Sequence, residues 1–322
     1  MWPINAQVNS DILREDFYSS IERAENKRFF SRLSVEKSMD EITTAFPSLG
    51  SVPEIRQLSG ISGGGPRQAV ALKDWVVNAT AFEWEQTIPI RRVIAQSKPE
   101  EVRAKTSQTA AKAMKGMDRV LCAALSSTTA LGYDGVALAS ASHPESGANQ
   151  TNTSNTASGV NFVPTATEWE TALTTATGQM KVAQDDQGTP VNEGVSKYTI
   201  IVHPNMEYGL RTAVSPLMAN QAVDSSGVTG RFRGLIDVIV SAYCTRTGIP
   251  SGTADIAYLF ASPEDADERA LALCRLADWQ FNTNIGNENS DDWNKGEGWI
   301  RSWAAFVFVP WQWQAVQQIV FT

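Results

Sequence analysis

The sequence predicts an α+β fold assembled from a long strand hairpin, one long helix and a mixed α/β region, and three patterns carry that expectation. Between Gln68 and Val93 apolar residues alternate with polar ones at period two, as in a strand with one covered face. From Val102 to Ala124 small and apolar residues recur every three or four positions, the spacing of one helical face. Beyond Thr167 helical and strand patterns alternate.

Composition bounds the rest. The chain has 322 residues, of which 42% are hydrophobic and 19% charged, enough to bury a sizeable core and below the roughly 25% charge of soluble proteins. Length alone suggests one large domain or two moderate ones. Ten tryptophans supply the large amphipathic rings that are enriched at lasting interfaces, although core packing accounts for them about as well. A net charge of −8 gives no basic field for sequence-independent attraction to phosphate, so a tight grip on nucleic acid is not expected. Cys122, Cys244 and Cys274 are odd in number and widely spaced, which fits reduced thiols acting as small hydrophobes. With no apolar run of about 18 residues and no basic-then-apolar N-terminus, neither membrane insertion nor secretion is indicated, and the cytoplasm is the default location.

Residues 1 to about 45 are charge-rich, with Phe17, Ile21 and Ala24 at helical spacing, and read as an amphipathic arm. Such an arm either lies along a neighbouring subunit or is an ordinary surface helix. Pro and Gly punctuation from Ala45 to Pro53 marks a loop, and Gly63-Gly64-Gly65-Pro66 marks a second break. A phosphate-cradling reading of these glycines fails, because that pattern needs a Lys and a Ser or Thr directly behind the last Gly. Val70–Val77 and the alternating run around Phe82, Trp84, Ile88 and Ile90 read as two strands joined by a turn at Asn78-Ala79-Thr80. A hairpin of this kind is marginal alone and wants its own domain or another chain to lie against.

Ser97 and Glu100 have capping-box spacing, and the helix behind them carries Val102, Thr106, Ala110, Ala113, Met117, Val120 and Ala124 on one stripe. Running to about Ser126, it spans roughly 40 Å. Residues 140–165 are rich in Ser, Thr, Asn and Gly and read as a long irregular loop, in which the glycosylation-like triplets at Asn149 and Asn152 are chance matches. A helix near 167–182, a strand at 198–202, a helix near 205–213 and strands at 235–240 and 257–260 follow. The chain closes on an aromatic strand segment, 299–322, with Trp303, Phe306, Phe308, Trp311 and Trp313.

No catalytic, cofactor or metal residue emerges. His143 and His203 each precede a proline and sit in no metal-ligand pattern. The adjacent acids Asp185-Asp186 and Asp291-Asp292 read as solvated. The chain is therefore expected not to be an enzyme. A cytoplasmic hydrolase or binding domain is the rival of another class, and it would behave as a monomer that forms no particles.

In chain order stand Phe46-Pro-Ser-Leu-Gly50 with Val52-Pro-Glu-Ile-Arg56, Trp75-Val-Val-Asn78 leading to Phe82-Glu83, Leu131-Gly-Tyr-Asp-Gly135 with His143-Pro144, Asp185-Asp-Gln-Gly-Thr-Pro190, and the strand ending at His203-Pro204. In this order and spacing these segments together resemble the Mu-like phage major head subunit family. They cover about residues 40 to 215. That family is similar to other Hong Kong 97-type capsid proteins. The resemblance implies an N-terminal arm at 1–50, a linker at 51–66, an extended hairpin loop at 67–95, a peripheral domain with a spine helix at 96–165, an axial domain at 166–275, and a return to the peripheral domain at 276–322.

By the same resemblance the function would be self-assembly into pentamers and hexamers of an icosahedral-type shell around packaged DNA, in a virion assembled in the host cytoplasm. Phe17, Ile21, Trp75, Asn78, Phe82, Trp84 and Ile88 would make the intersubunit contacts. A scaffold protein, a protease, a portal and a decoration protein are the other implied partners, with no cofactor, metal or membrane. The sequence departs from the family in having no long N-terminal scaffold segment, which suggests a separate scaffold protein. It also has Ala79-Thr80-Ala81 before Phe82, where the family tends to be basic. Encapsulin-like compartments and gene-transfer particles share the fold. Some members of the fold class cross-link a hairpin lysine, but Lys73 is the sole lysine between Arg67 and Val93, away from the expected tip, so a shell without covalent cross-links is expected.

Overall fold

The computed structural model describes residues 9–49, 74–145, 148–214, 232, 234–262, 268–286 and 290–322. The chain divides into two compact units, one of residues 1–44, 79–121 and 273–308 and the other of residues 45–78, 122–272 and 309–322. In chain order, the first elements are α1 (Ser10–Glu25), α2 (Phe30–Leu33), β1 (Ser34–Ser38), β2 (Thr43–Leu49), β3 (Asp74–Thr80), β4 (Phe82–Arg91), α3 (Arg92–Ser97) and α4 (Pro99–Leu125). The short strands β5 (His143–Glu145), β6 (Ala148–Gln150) and β7 (Thr153–Thr156) follow, then α5 (Ala166–Val182), β8 (Tyr198–Val202), α6 (Glu207–Val214), β9 (Ile236–Val240) and β10 (Ile256–Ala261). The last are β11 (Leu271–Thr283), α7 (Asp291–Asn294), β12 (Glu297–Pro310) and β13 (Val316–Phe321).

In the first unit, Asn9 caps α1 by accepting the Asp11 amide at 3.1 Å. Leu13 and Phe17 on its inner face are fully buried, and the Phe17 ring centre lies 4.9 Å from that of Phe281. Arg103 on α4 holds Asp16 through two bonds of 2.7 and 3.1 Å. The apolar stripe of the expected free arm thus finds its partner inside its own unit, because Phe281 on β11 offers an apolar surface that the local sequence around residue 17 does not reveal.

The four-stranded sheet of this unit has the order β1-β11-β12-β4. β4 runs antiparallel to β12, from Phe82 opposite Phe306 to Arg91 opposite Glu297. Phe30, Phe306 and Phe308 meet edge-on in the core beneath it, and the Trp279 indole N–H points at Met117 Sδ, 3.5 Å away. β3 and β4 are not the two arms of one hairpin, contrary to the expectation for 67–95. β3 pairs with β2 in a separate two-stranded sheet, only Ala81 stands between β3 and β4, and the Ala81 amide donates to Ile42 O at 2.8 Å. Asn78-Ala79-Thr80 is therefore strand, not turn. Alternation shows which face of a strand is covered but carries no record of which strand supplies its hydrogen bonds. Residues 67–73 of the expected hairpin, Lys73 among them, lie outside the described residues.

α4 begins with Pro99 at its first position, where the missing N–H costs nothing. Ser97 belongs to the short helix α3, with Lys98 between the two, so the expected capping box is not used. Val102, Thr106, Ala110, Ala113, Met117 and Ala124 are buried as the periodicity predicts, and Val120 is half-buried.

The second unit is built on a five-stranded sheet of order β7-β13-β10-β8-β9. β10 is antiparallel to β13 and β8, while the edge pairs β13–β7 and β8–β9 are parallel. Every residue of β8 and β10 is buried, as continuous apolar runs require. α5 opens with a capping box, Thr165 with Glu168, and turns Trp169, Ala172, Leu173, Ala176 and Met180 inward. Trp169 meets Phe321 edge-on at 4.7 Å. The polar tract 140–165, expected as irregular, contains β5–β7: β7 is Thr-Ser-Asn-Thr, too polar to read as a strand, and its partner β13 lies more than 150 positions away in the chain. The closing segment also divides, with β12 in the four-stranded sheet and β13 in the five-stranded one. Pro310 ends β12 and a 3-10 turn at Trp313–Ala315 leads into β13. Residues 309–322 thus join 122–272 instead of returning with 276–308.

Candidate intersubunit surfaces

β4 is the outer strand of its sheet, paired among the described residues with β12 alone. An outer strand leaves one row of backbone donors and acceptors open, which makes it a template for another chain. Its side chains alternate. Phe82, Trp84, Gln86, Ile88 and Ile90 share one face, on which Phe82 is 59% exposed, Trp84 and Ile88 are half-buried and Ile90 is buried. Trp84 stacks on Phe306 at 5.7 Å and donates its indole N–H to Phe306 O at 3.2 Å, which fixes the ring. The opposite face carries Glu83 and Glu85, the latter held by Arg301 at 2.6 Å.

The structure therefore brings Phe82, Trp84 and Ile88 together on one strand face. Ile21 is half-buried on α1, and Phe17 is buried in its own unit and offers nothing to a neighbour. Trp75 and Asn78 lie on β3 in the other unit, where the Trp75 ring meets Tyr133 edge-on at 5.2 Å and Asn78 is exposed. A cleft of about 680 Å³ opens beside β4, lined by Ile88, Ile90, Ile94, Val102 and Trp299 and edged by charged Arg91 and Glu101. Val93 and Ile94 on α3 are 74% and 41% exposed. The sequence reading missed this cleft because it placed residues 92–95 in a hairpin strand. Its floor is largely apolar and its edge also carries Lys105, Asp292 and Glu297, a combination that suits the side chains of a bound segment.

A buried polar cluster lies in the second unit. Both ring nitrogens of His143 face acceptors, Nδ1 toward Asp134 Oδ2 at 2.5 Å and Nε2 toward Asn152 Oδ1 at 3.2 Å. The Asn152 amide is oriented by its donations to Leu138 O and Trp313 O. Next to it, Glu145 accepts from Tyr133 Oη at 2.5 Å and from Gln314 Nε2 at 2.6 Å. Burial raises the Glu145 carboxyl to about 7, helped by the charges of Asp134 and Asp186 and opposed by the Tyr133 hydrogen bond. In the first unit burial likewise raises Asp118 to about 6, against the Phe30 amide and Arg28. These groups are spent on one another and tie loops together. Among the described residues no group of His, Cys, Asp and Glu could hold a metal ion, and no helix is long and apolar enough to cross a membrane.

A mixed α/β chain with a long helix against an antiparallel sheet, a separate strand pair and a second α/β sheet has the architecture of Hong Kong 97-type capsid subunits. It superposes on the mature capsid of bacteriophage PhiM1 with a TM-score of 0.58 at 11% identity, covering 91% of this chain and 87% of that one. Against the capsid of cyanophage P-SCSP1u the TM-score is 0.57 at 14% identity, covering 91% and 88%. Against the virus-like particle from Pyrococcus furiosus it is 0.53 at 11%, covering 95% and 98%. At such identities these likenesses establish the fold. No curated protein matches the chain. Residues 70–319 match the phage capsid protein family, and the chain belongs to that family. It is a major capsid protein of the tailed-phage type, a structural class of protein.

Proposed function

We propose that copies of this chain form the pentamers and hexamers of a closed head shell that encloses packaged DNA, without catalysing a reaction. The observation that carries this reading is the match of residues 70–319 to the phage capsid protein family. The open edge of β4, with Phe82 exposed at its start, accords with it by offering a surface that a single chain leaves uncovered. Within the family, the ordered motifs from Phe46 to Pro204 favour the Mu-like head subunits. Assembly in the host cytoplasm would use a scaffold protein, a protease and a portal, with a decoration protein as an optional addition.

Phe82, Trp84 and Ile88 are the contacts proposed on the open strand, with Ile21, Trp75 and Asn78 as further contacts elsewhere. The test is negative-stain microscopy of the protein expressed with its scaffold, followed by assay of the particle contents. Closed shells that fill with DNA in the presence of the packaging machinery support the reading. A monomer that forms no particles under any of these conditions overturns it, and shells loaded with cargo protein would assign the chain to the encapsulin-like compartments.

A further inference from the structure

We propose that the exposed face of α4 formed by Lys105, Lys112, Lys115 and Arg119 contacts the phosphate backbone of the enclosed duplex, and so lines the lumen of the shell. The inference rests on the reading that the shell encloses DNA, and adds to it which surface meets that DNA.

Four cations at positions 105, 112, 115 and 119, with Gln108 in the gap, follow spacings of three and four and fall within about a quarter of the helix circumference. All four are exposed. Among the described residues no carboxylate lies within ion-pair distance of them, and Lys105 makes only a long bond to Gln108 at 3.5 Å. Other cations of the same helix region are neutralised: Lys98 pairs with Glu101 at 3.3 Å, and Arg103 with Asp16 and Glu100. Asp118, the acid nearest in sequence to Arg119, lies about 100° round the helix from it, buried and engaged by Phe30 and Arg28. The chain as a whole carries −8, so an unpaired stripe of four positive charges opposes its prevailing sign.

The dimensions suit a nucleic-acid backbone. From residue 105 to 119 the helix rises about 21 Å, against which one strand of a duplex places roughly six phosphates. Ala104, Ala111 and Gly116 border the stripe and keep the helix surface low, so that the longer basic side chains reach furthest. A Cβ at Gly116 would meet nothing within 4 Å, so packing inside the subunit does not require glycine in this mid-helix position. Four contacts per subunit give weak binding that salt reverses. Repeated over a shell, they hold DNA near the wall while letting it slide, and the acidic remainder of the subunit limits tighter adhesion.

The test pairs a titration with a mapping experiment. Binding of the purified subunit to a short duplex is followed across salt concentrations for wild type and for Lys112→Gln/Lys115→Gln/Arg119→Gln, with circular dichroism to check that the helix is retained. Wild-type affinity should fall about a hundredfold over a fourfold rise in salt, the slope for four phosphate contacts, and the triple variant should lose most of that dependence. In DNA-filled particles, formaldehyde adducts should map to Lys105, Lys112 and Lys115. Particles that hold DNA but carry no adduct on α4, or a variant whose salt slope is unchanged, overturn the inference and leave the enclosing function standing. Particles that never take up DNA remove the enclosing function itself. A stripe whose loss abolishes scaffold-dependent assembly, with duplex binding unchanged, belongs to an acidic protein partner and also overturns the proposal.

Discussion

The imidazole of His143 lies flat on the indole of Trp313, with ring centres 4.2 Å apart and planes within 3° of parallel. The same ring is hydrogen-bonded through Nδ1 to Asp134 and through Nε2 to Asn152, so the stack and the two bonds together fix its orientation. The residue thereby pins the irregular segment after Leu131 to the turn that precedes β13.

His143→Ala removes the stack and leaves the buried Asp134 carboxylate without its main partner. Leaving a buried polar group without its hydrogen-bond partner costs about 1–3 kcal/mol. Urea unfolding should show a loss of that order, and a change below about 1 kcal/mol, the range of an exposed pair, would show that the pair is not structural.

Glu145 gives the subunit a pH dependence whose sign follows from its environment. Its folded carboxyl is raised to about 7, so the folded state holds the proton more tightly than the unfolded one. The associated stability is fully present below the ordinary carboxylate range and is lost as pH rises toward 7. With about 1.4 kcal/mol per pK unit, the swing is on the order of 3 kcal/mol. Asp118, raised to about 6, acts in the same direction. Thermal melts should therefore show the wild type losing stability between pH 5 and 8, with Glu145→Gln flattening part of the slope. An identical slope in the variant would exclude Glu145 as its source.

Gly248 has φ +64, and a Cβ there would stand 2.5 Å from the Ala123 backbone. Gly248→Ala meets both a left-handed backbone and immovable atoms, and should cost more than the roughly 1 kcal/mol of a simple left-handed glycine replacement. Calorimetry decides it, since an unchanged melting temperature would mean that the loop relaxes freely.

Gly116 predicts the opposite sign. In open space at the middle of α4, Gly116→Ala gains helix propensity and should stabilise the isolated subunit by about 0.5–1 kcal/mol. Destabilisation in chemical unfolding would mean that a Cβ at this position meets packed atoms of the subunit itself.

Phe82 and Trp84 separate folding from assembly. Trp84 is fixed against Phe306, so Trp84→Ala should lower subunit stability by about 3 kcal/mol or more. Phe82 is 59% exposed, and Phe82→Ser should leave the subunit melt nearly unchanged while lowering the yield of particles in sedimentation. Equal effects on both measurements for Phe82 would place it in the subunit core.

The sequence by itself determined the elements whose patterns are local. α4 is legible because one stripe repeats along its 27 residues, and β8 and β10 because fully buried strands are continuous apolar runs. The ordered motifs from Phe46 to Pro204 gave the capsid family before any coordinate. Tertiary structure alone decided the pairings. β3 and β4 read as one hairpin because both alternate, yet their partners, β2 and β12, are set by backbone hydrogen bonds that leave no mark on side-chain order. Phe17 read as a free contact because Phe281 lies 264 positions along the chain, and β7 was hidden because its polar residues gain their place from β13. The basic stripe was present in the sequence from the start, but only the folded chain showed that its cations are exposed and unpaired. Local periodicity records which face of an element is covered, and long-range packing decides by what.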